Sequence, residues 1–215
     1  MSKTVSYNNC FNMLLKLKTE ALPILNAGVS NSKGIWEEIR IKHEKVPWHK
    51  PIWFPLHIPK FNIITWFAIL DRLPTRERLI RMGITIVGSC TLCNDALETR
   101  NYLFADCAMD ATLWNGILNL SLLAKPHMSW DNKLAWASST WKGKSLLTTI
   151  MKIAWCSFIY FVWEERNRRL FQGRDRTIED LLNSIKEIVR THLRNSDLNR
   201  LDNVNMQLCT NWGIG

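Results

Sequence analysis

No stretch of this 215-residue sequence approaches the roughly 18 uncharged apolar residues that a membrane span needs. The longest apolar run, Ile153 to Trp163, lies between Lys152 and Glu164 and reads as a buried helix. The opening residues MSKTVSYNNCFNMLL lack a basic stretch, a following apolar run and a small-residue cleavage site, so no secretory signal is expected. Low-complexity tracts and internal repeats are also missing. Acidic residues are few: 19 Asp and Glu stand against 28 Lys and Arg, a net charge of +9. These features lead us to expect an intracellular chain with no membrane partner.

What is present in quantity is apolar and aromatic. Hydrophobic residues make up 47% of the chain, which excludes a fully disordered one, and eleven tryptophans demand large buried pockets or stacking partners. The length allows one substantial core or two small ones. In an unsecreted chain, six cysteines point to thiols or metal ligands rather than disulfides. Cys10, Cys156 and Cys209 are isolated, and Cys156 in the apolar run is expected to be a small core residue.

The spacing predicts a mainly α protein: a helical domain with a small extended hairpin, zinc-knuckle-like, at the remaining cysteines. Helical periodicity runs through NNCFNMLLKLKTEALPIL, then KGIWEEIRIKH, with a Gly/Ser/Asn loop at 28–32 between them. VPWHKPIWFPLHIPK holds too many prolines for a regular helix and reads as an extended connection. FNIITWFAILDRL is a buried helix, and RERLIRM another, capped by Thr75 and stopped by Gly83. ITIVGSC, β-branched and short, is expected to be an extended arm, with RNYLFADC as its return. Helices follow at MDATLWNGIL, from about Leu146 to Phe171, and from Thr177, where Asp180 stands three residues after the cap. LAWASSTWKGKS is ambiguous, and the polar tail after Asn195 is expected to fray. This reading divides the chain into residues 1–32 (helix and linker), 33–124 (the cysteine-bearing part) and 125–215 (helical, with the tail).

CTLCNDALETRNYLFADC, residues 90–107, carries Cys90, Cys93 and Cys107. A structural zinc site wants four ligands, and three are evident. Water, Asp106 or Glu98 are candidates for the fourth. The alternative is three reduced thiols in a hairpin supported by Leu92, Leu103 and Phe104. Residues 90–110 carry one basic and four acidic side chains, whereas 60–89 carry five basic and two acidic, and 111–152 five and one. Zn²⁺ would offset the local negative charge, and the cysteine loop itself is a poor phosphate binder.

Taken together, WHKPIWFPLHIPKFNIITWFAILDRLPTRERLIRMGI, CTLCNDALETRNYLFADC and ATLWNGIL resemble the zinc-binding domain of reverse-transcriptase proteins from plant LINE-type (non-LTR) retrotransposons. The resemblance covers roughly residues 33–118. It implies a zinc module attached to a reverse transcriptase, with zinc as cofactor, RNA or DNA as partner, and the nucleus as a compartment. It also implies that Cys90, Cys93 and Cys107 are ligands and that Tyr102 stands where the family usually has histidine.

Catalysis is not expected. There is no Tyr-x-Asp-Asp, no spread of four carboxylates, and no Ser-His-Asp or Cys-His arrangement, hence no small-molecule substrate. Asp71, Glu77, Glu164, Glu165, Glu179 and Asp180 read as solvated surface charge. Candidate nucleic-acid contacts are Arg72, Arg76, Arg78 and Arg81, and Arg166, Arg168 and Arg169 with Trp163 and Phe171 nearby. The competing reading is a metal-free helical protein-interaction module, or an unselected remnant of a mobile element.

Overall fold

The structure is a computed structural model, which describes residues 44–194 and 202–214, with Thr19, Leu22 and Pro23. The chain divides into two units, Met1–Lys45 and Val46–Gly215, and the fold below is that of the second. The helices expected in NNCFNMLLKLKTEALPIL and KGIWEEIRIKH, the loop at 28–32, and Cys10 lie outside the described residues, apart from those three positions.

The second unit is mainly helical, with α1 (His49–Ile52), α2 (Pro59–Ile69) and α3 (Arg76–Arg81) preceding the cysteine segment. A wide π turn, Tyr102–Asp106, then leads into α4 (Ala108–Leu120), α5 (Trp130–Thr140), α6 (Leu146–Gln172), α7 (Ile178–Leu193) and α8 (Asn203–Trp212). The proline-rich connection, expected to be extended throughout, contains α1. Four residues suffice for one turn, and Pro51 comes too early in it to have an intrahelical amide to lose.

α6 is the axis of the unit, with α2 and α7 packed along it and α4 and α8 against both α6 and α7. By length and composition alone α6 is apolar enough to cross a membrane, but its apolar window is 89% buried inside the fold. Every residue from Thr149 to Tyr160 is buried, because α6 is surrounded on all sides. Cys156 is 1% exposed, and burial pushes its thiol up to about 12. Three tryptophans converge on Trp155 of α6. Trp155 stacks on Trp130 at 5.7 Å and meets Trp114 and Trp141 edge-on at 5.2 and 5.8 Å.

The local start signals hold. Thr75 accepts from the Arg78 amide, Gly83 adopts φ 84°, and Thr177 with Asp180 forms a reciprocal capping box. The ambiguous LAWASSTWKGKS contributes the end of α5, whose N-cap is Ser129. The tail, expected to fray, instead forms α8, capped by Asp202 and closed by Gly213 at φ 67°. Leu208, Trp212 and Ile214 are buried there, and the Asn211 amide donates to Leu120 O at 3.2 Å. Three apolar anchors in a polar segment are enough to dock it. Helices on both sides of residue 125 share this core, with α4 packed on α6, α7 and α8.

Candidate metal centre

The knuckle is built from residues 88–98. Ser89 bridges Leu97 antiparallel, with the Cys90 amide donating to Ala96 O at 2.8 Å and the Glu98 amide to Gly88 O at 2.9 Å. The Asn94 amide closes the turn onto Cys90 O at 2.8 Å, and Asn94 takes φ 59°, a conformation asparagine tolerates. Gly88 lies where the arms approach: a Cβ there would come within 2.8 Å of Leu97 Cδ1 and 3.2 Å of Ile80 Cδ1, so those side-chain ends would have to shift.

The return arm is therefore Ala96–Glu98, and the expectation that RNYLFADC would serve is corrected. The Thr99 hydroxyl accepts from the Tyr102 amide at 2.9 Å, which starts a helical turn. Leu103, Phe104 and Ala105 are all fully buried. A strand would send alternate residues to opposite faces, whereas a turn closed by the Cys107 amide onto Tyr102 O, at 2.8 Å, carries all three inward. That turn delivers Cys107 to the knuckle at the N-cap of α4.

Cys90, Cys93 and Cys107 thus meet, with their sulfurs all within 4.8 Å of one another. Cys90 Sγ and Cys107 Sγ are 4.0 Å apart. Tetrahedral zinc with bonds of about 2.3 Å needs sulfurs about 3.8 Å apart, so small side-chain rotations complete the fit. The Cys90 and Cys107 thiols are hydrogen-bonded to each other; that bond, with burial, pushes Cys107 up. The same bond, together with the Leu92 and Cys93 amides, draws Cys90 down despite burial.

Tyr102 sits at the open side of the trio. Its hydroxyl is 3.2 Å from Cys93 Sγ and 3.3 Å from Asp95 Oδ2. The bond to Cys93 and then burial raise its pKa, so the phenol keeps its proton. The donor set fits a soft or borderline cation held by three thiolates, with a fourth ligand from outside the trio. Among the sequence candidates for that place, Glu98 is removed by its own bonds, described below. Asp106 lies 3.4 Å from His127 Nε2, which also reaches Ala105 O at 3.0 Å.

Residues 31–114 match the family model described as zinc-binding in reverse transcriptase. All three thiols fall inside the matched segment, which supports a zinc-binding domain there. No curated protein and no solved structure matches the chain.

What ties the knuckle to the helices is Glu98, which the sequence had offered as a ligand. Its side chain is 0% exposed. Oε1 accepts from Arg166 Nε and Nη2 at 3.0 and 2.8 Å and from the Arg76 amide at 3.0 Å. Oε2 accepts from the Thr91 amide and hydroxyl at 3.1 and 2.9 Å. Burial alone would raise this carboxyl, but Arg166 and Thr91 bring it below its usual range. One residue thereby fixes the knuckle, the start of α3 and the long helix α6. Arg169 adds a second tie, donating to Leu92 O at 2.9 Å between the first two cysteines.

The candidate nucleic-acid residues fall into different surroundings. Arg166 is buried on Glu98, and Arg169 is held by Glu165 at 2.9 Å. Trp163 is buried with the Arg166 guanidinium 5.0 Å above its ring, so neither is open to stacking. Arg76 donates to Val87 O and Arg78 to Asp71 O, at 2.9 and 2.5 Å. Arg81 pairs with Glu77 and Asp71 but is 55% exposed, and Arg72 is exposed. Arg168 is half-buried and its Nε has no partner. Glu165 was read as solvated and is instead fully buried between Arg169 and Arg176. A second buried pair, Asp110 with Lys133 at 3.1 Å, carried no sequence signal because its members are 23 residues apart.

Proposed function

We propose that this chain is a non-catalytic, zinc-binding auxiliary module of the reverse-transcriptase type, derived from a plant LINE-type retrotransposon, that holds RNA or DNA inside the cell, with the nucleus as its compartment. The observation that carries the reading is the convergence of the three thiols inside the segment matching the family. Cys90, Cys93 and Cys107 would hold zinc, while the phenol of Tyr102 stands in the place implied for a histidine. Of the buried carboxylates, Glu98 and Glu165 are spent on structural ion pairs with Arg166, Arg169 and Arg176, which supports a module without a reaction of its own.

With a protonated phenol in place of an imidazole, zinc should be held weakly. Protein purified under reductant without chelator is expected to carry less than one zinc per chain, and Tyr102→His to bring it to one. Elemental analysis with a competition titration checks this, with a gain of about 10- to 100-fold in affinity expected, the scale seen when a metal shell is altered. One tightly held zinc in the native chain would refute the lost-ligand account.

Nucleic-acid binding rests on the charge of +9, which flanks the knuckle on both sides, and on the exposed Arg72 and Arg81. We expect binding to single- or double-stranded oligonucleotides without sequence preference. About three phosphate contacts would weaken it about 20- to 40-fold between 50 and 200 mM salt. Fluorescence anisotropy on native protein and on Arg72→Ala with Arg81→Ala reads this slope. No binding at low salt would remove the nucleic-acid role and leave the zinc role standing.

A further inference from the structure

Away from the thiols, the C-terminal end of α6 and the segment after α3 enclose an open groove of about 870 Å³. Leu73, Leu79, Ile86, Val87, Leu170 and Phe171 line it, and four of these are large apolar side chains exposed to solvent: Ile86, Val87, Leu170 and Phe171. Val87 is 73% and Phe171 76% exposed, on two elements far apart in sequence. Ile80, Met82 and Ile84, beside it in the chain, are exposed too. Apolar surface gathered in this way marks an interaction site rather than chance exposure.

The groove's lining includes Arg76 and Arg166 and no acidic residue, although Arg166 is already paired with Glu98 behind it. A polar groove of about 520 Å³ adjoins it, sharing Trp163, Asn167 and Phe171, and Arg168 lines that one. The Nε of Arg168 is buried without a partner, whereas the neighbouring Arg176 is held by Glu164 and Glu165. A buried donor left unpaired is destabilising until an acceptor arrives, and a carboxylate is the acceptor that suits a guanidinium best.

We propose that this groove seats the apolar face of an amphipathic helix from a protein partner, with an acidic side chain on its flank reaching Arg168. Aliphatic anchors at helical spacing fill a trough lined by Leu, Ile and Val, and the flanking carboxylate supplies the missing acceptor. A nucleobase suits the trough poorly. Its polar edges would be buried against aliphatic walls, and the indole of Trp163 is already covered by Arg166. This surface is independent of the thiols and of the exposed arginines assigned to nucleic acid.

The test uses a displayed library of amphipathic helices with randomised polar faces, selected on the full chain and counter-selected on Val87→Asp. Enriched helices are expected to carry Asp or Glu on one flank. Their binding, measured with synthesised peptide, should fall about tenfold or more with Phe171→Ala. Arg168→Gln should weaken the acidic helix and leave its Glu→Gln version unchanged. Because Val87 and Phe171 are exposed, thermal unfolding of these variants should match the native chain. No enrichment over Val87→Asp would overturn the proposal. So would enriched helices indifferent to Arg168→Gln, or an oligonucleotide that displaces the helix and loses its own binding with Phe171→Ala.

Discussion

Glu98→Ala is expected to destabilise the unit by about 3–5 kcal/mol, the range for removing one partner of a buried ion pair. The loss is large because the carboxylate leaves Arg166 buried and uncompensated. It also leaves the Arg76 and Thr91 amides and the Thr91 hydroxyl without their acceptor. The pH dependence gives the effect a second signature. A carboxyl held below its unfolded value of 4.5 stabilises the fold above that pH, and the stabilisation is lost as pH falls through the folded value. Native protein should therefore lose stability on acidification below about pH 4.5. Glu98→Ala should start lower and show a shallower acid limb. Urea unfolding from pH 3 to 7 checks both, and equal slopes in the two proteins would contradict the assignment. Zinc affinity should fall in the same variant, since Thr91 lies between Cys90 and Cys93.

Trp155→Ala is expected to cost a similar amount, about 3–5 kcal/mol, by a different route. Trp155 is 0% exposed and touches Trp114, Trp130, Trp141 and Phe158, so its removal opens a cavity that four rigid rings cannot close. Trp155→Phe should recover much of the loss, because a six-membered ring keeps most of the stacking with Trp130. The readout is the denaturation midpoint at unchanged slope. Near-native stability for Trp155→Ala would mean that the aromatic cluster is not the centre of the core.

Several of these features were legible without coordinates, and the reason is range. The Thr177 capping box, the Thr75 cap and the stop at Gly83 are contacts over three or four residues, which local spacing specifies. The thiol trio was legible because a Cys-x-x-Cys turn is also local. Its third member came within reach once the hairpin was inferred, although the wrong arm was assigned to it. RNYLFADC misled because its apolar content suits a strand as well as a turn. What distinguishes them is that Leu103, Phe104 and Ala105 all point into one core, and that core lies elsewhere in the chain. The tail misled because polar composition outweighed three anchors whose pocket, against α4, α6 and α7, is formed by distant helices.

The sequence by itself determined that the chain is mainly helical, where most helices begin, that three thiols converge, and that basic stretches flank an acidic cysteine segment. Tertiary structure alone decided which charges are surface and which are skeleton. Arg166 and Glu98 are 68 residues apart, and neither residue type nor spacing signals that one neutralises the other in the dark of the core. Periodicity encodes what a segment does with its near neighbours. The partner of a buried charge, and the grease left uncovered at Phe171 and Val87, depend on how segments from opposite ends of the unit come to lie side by side.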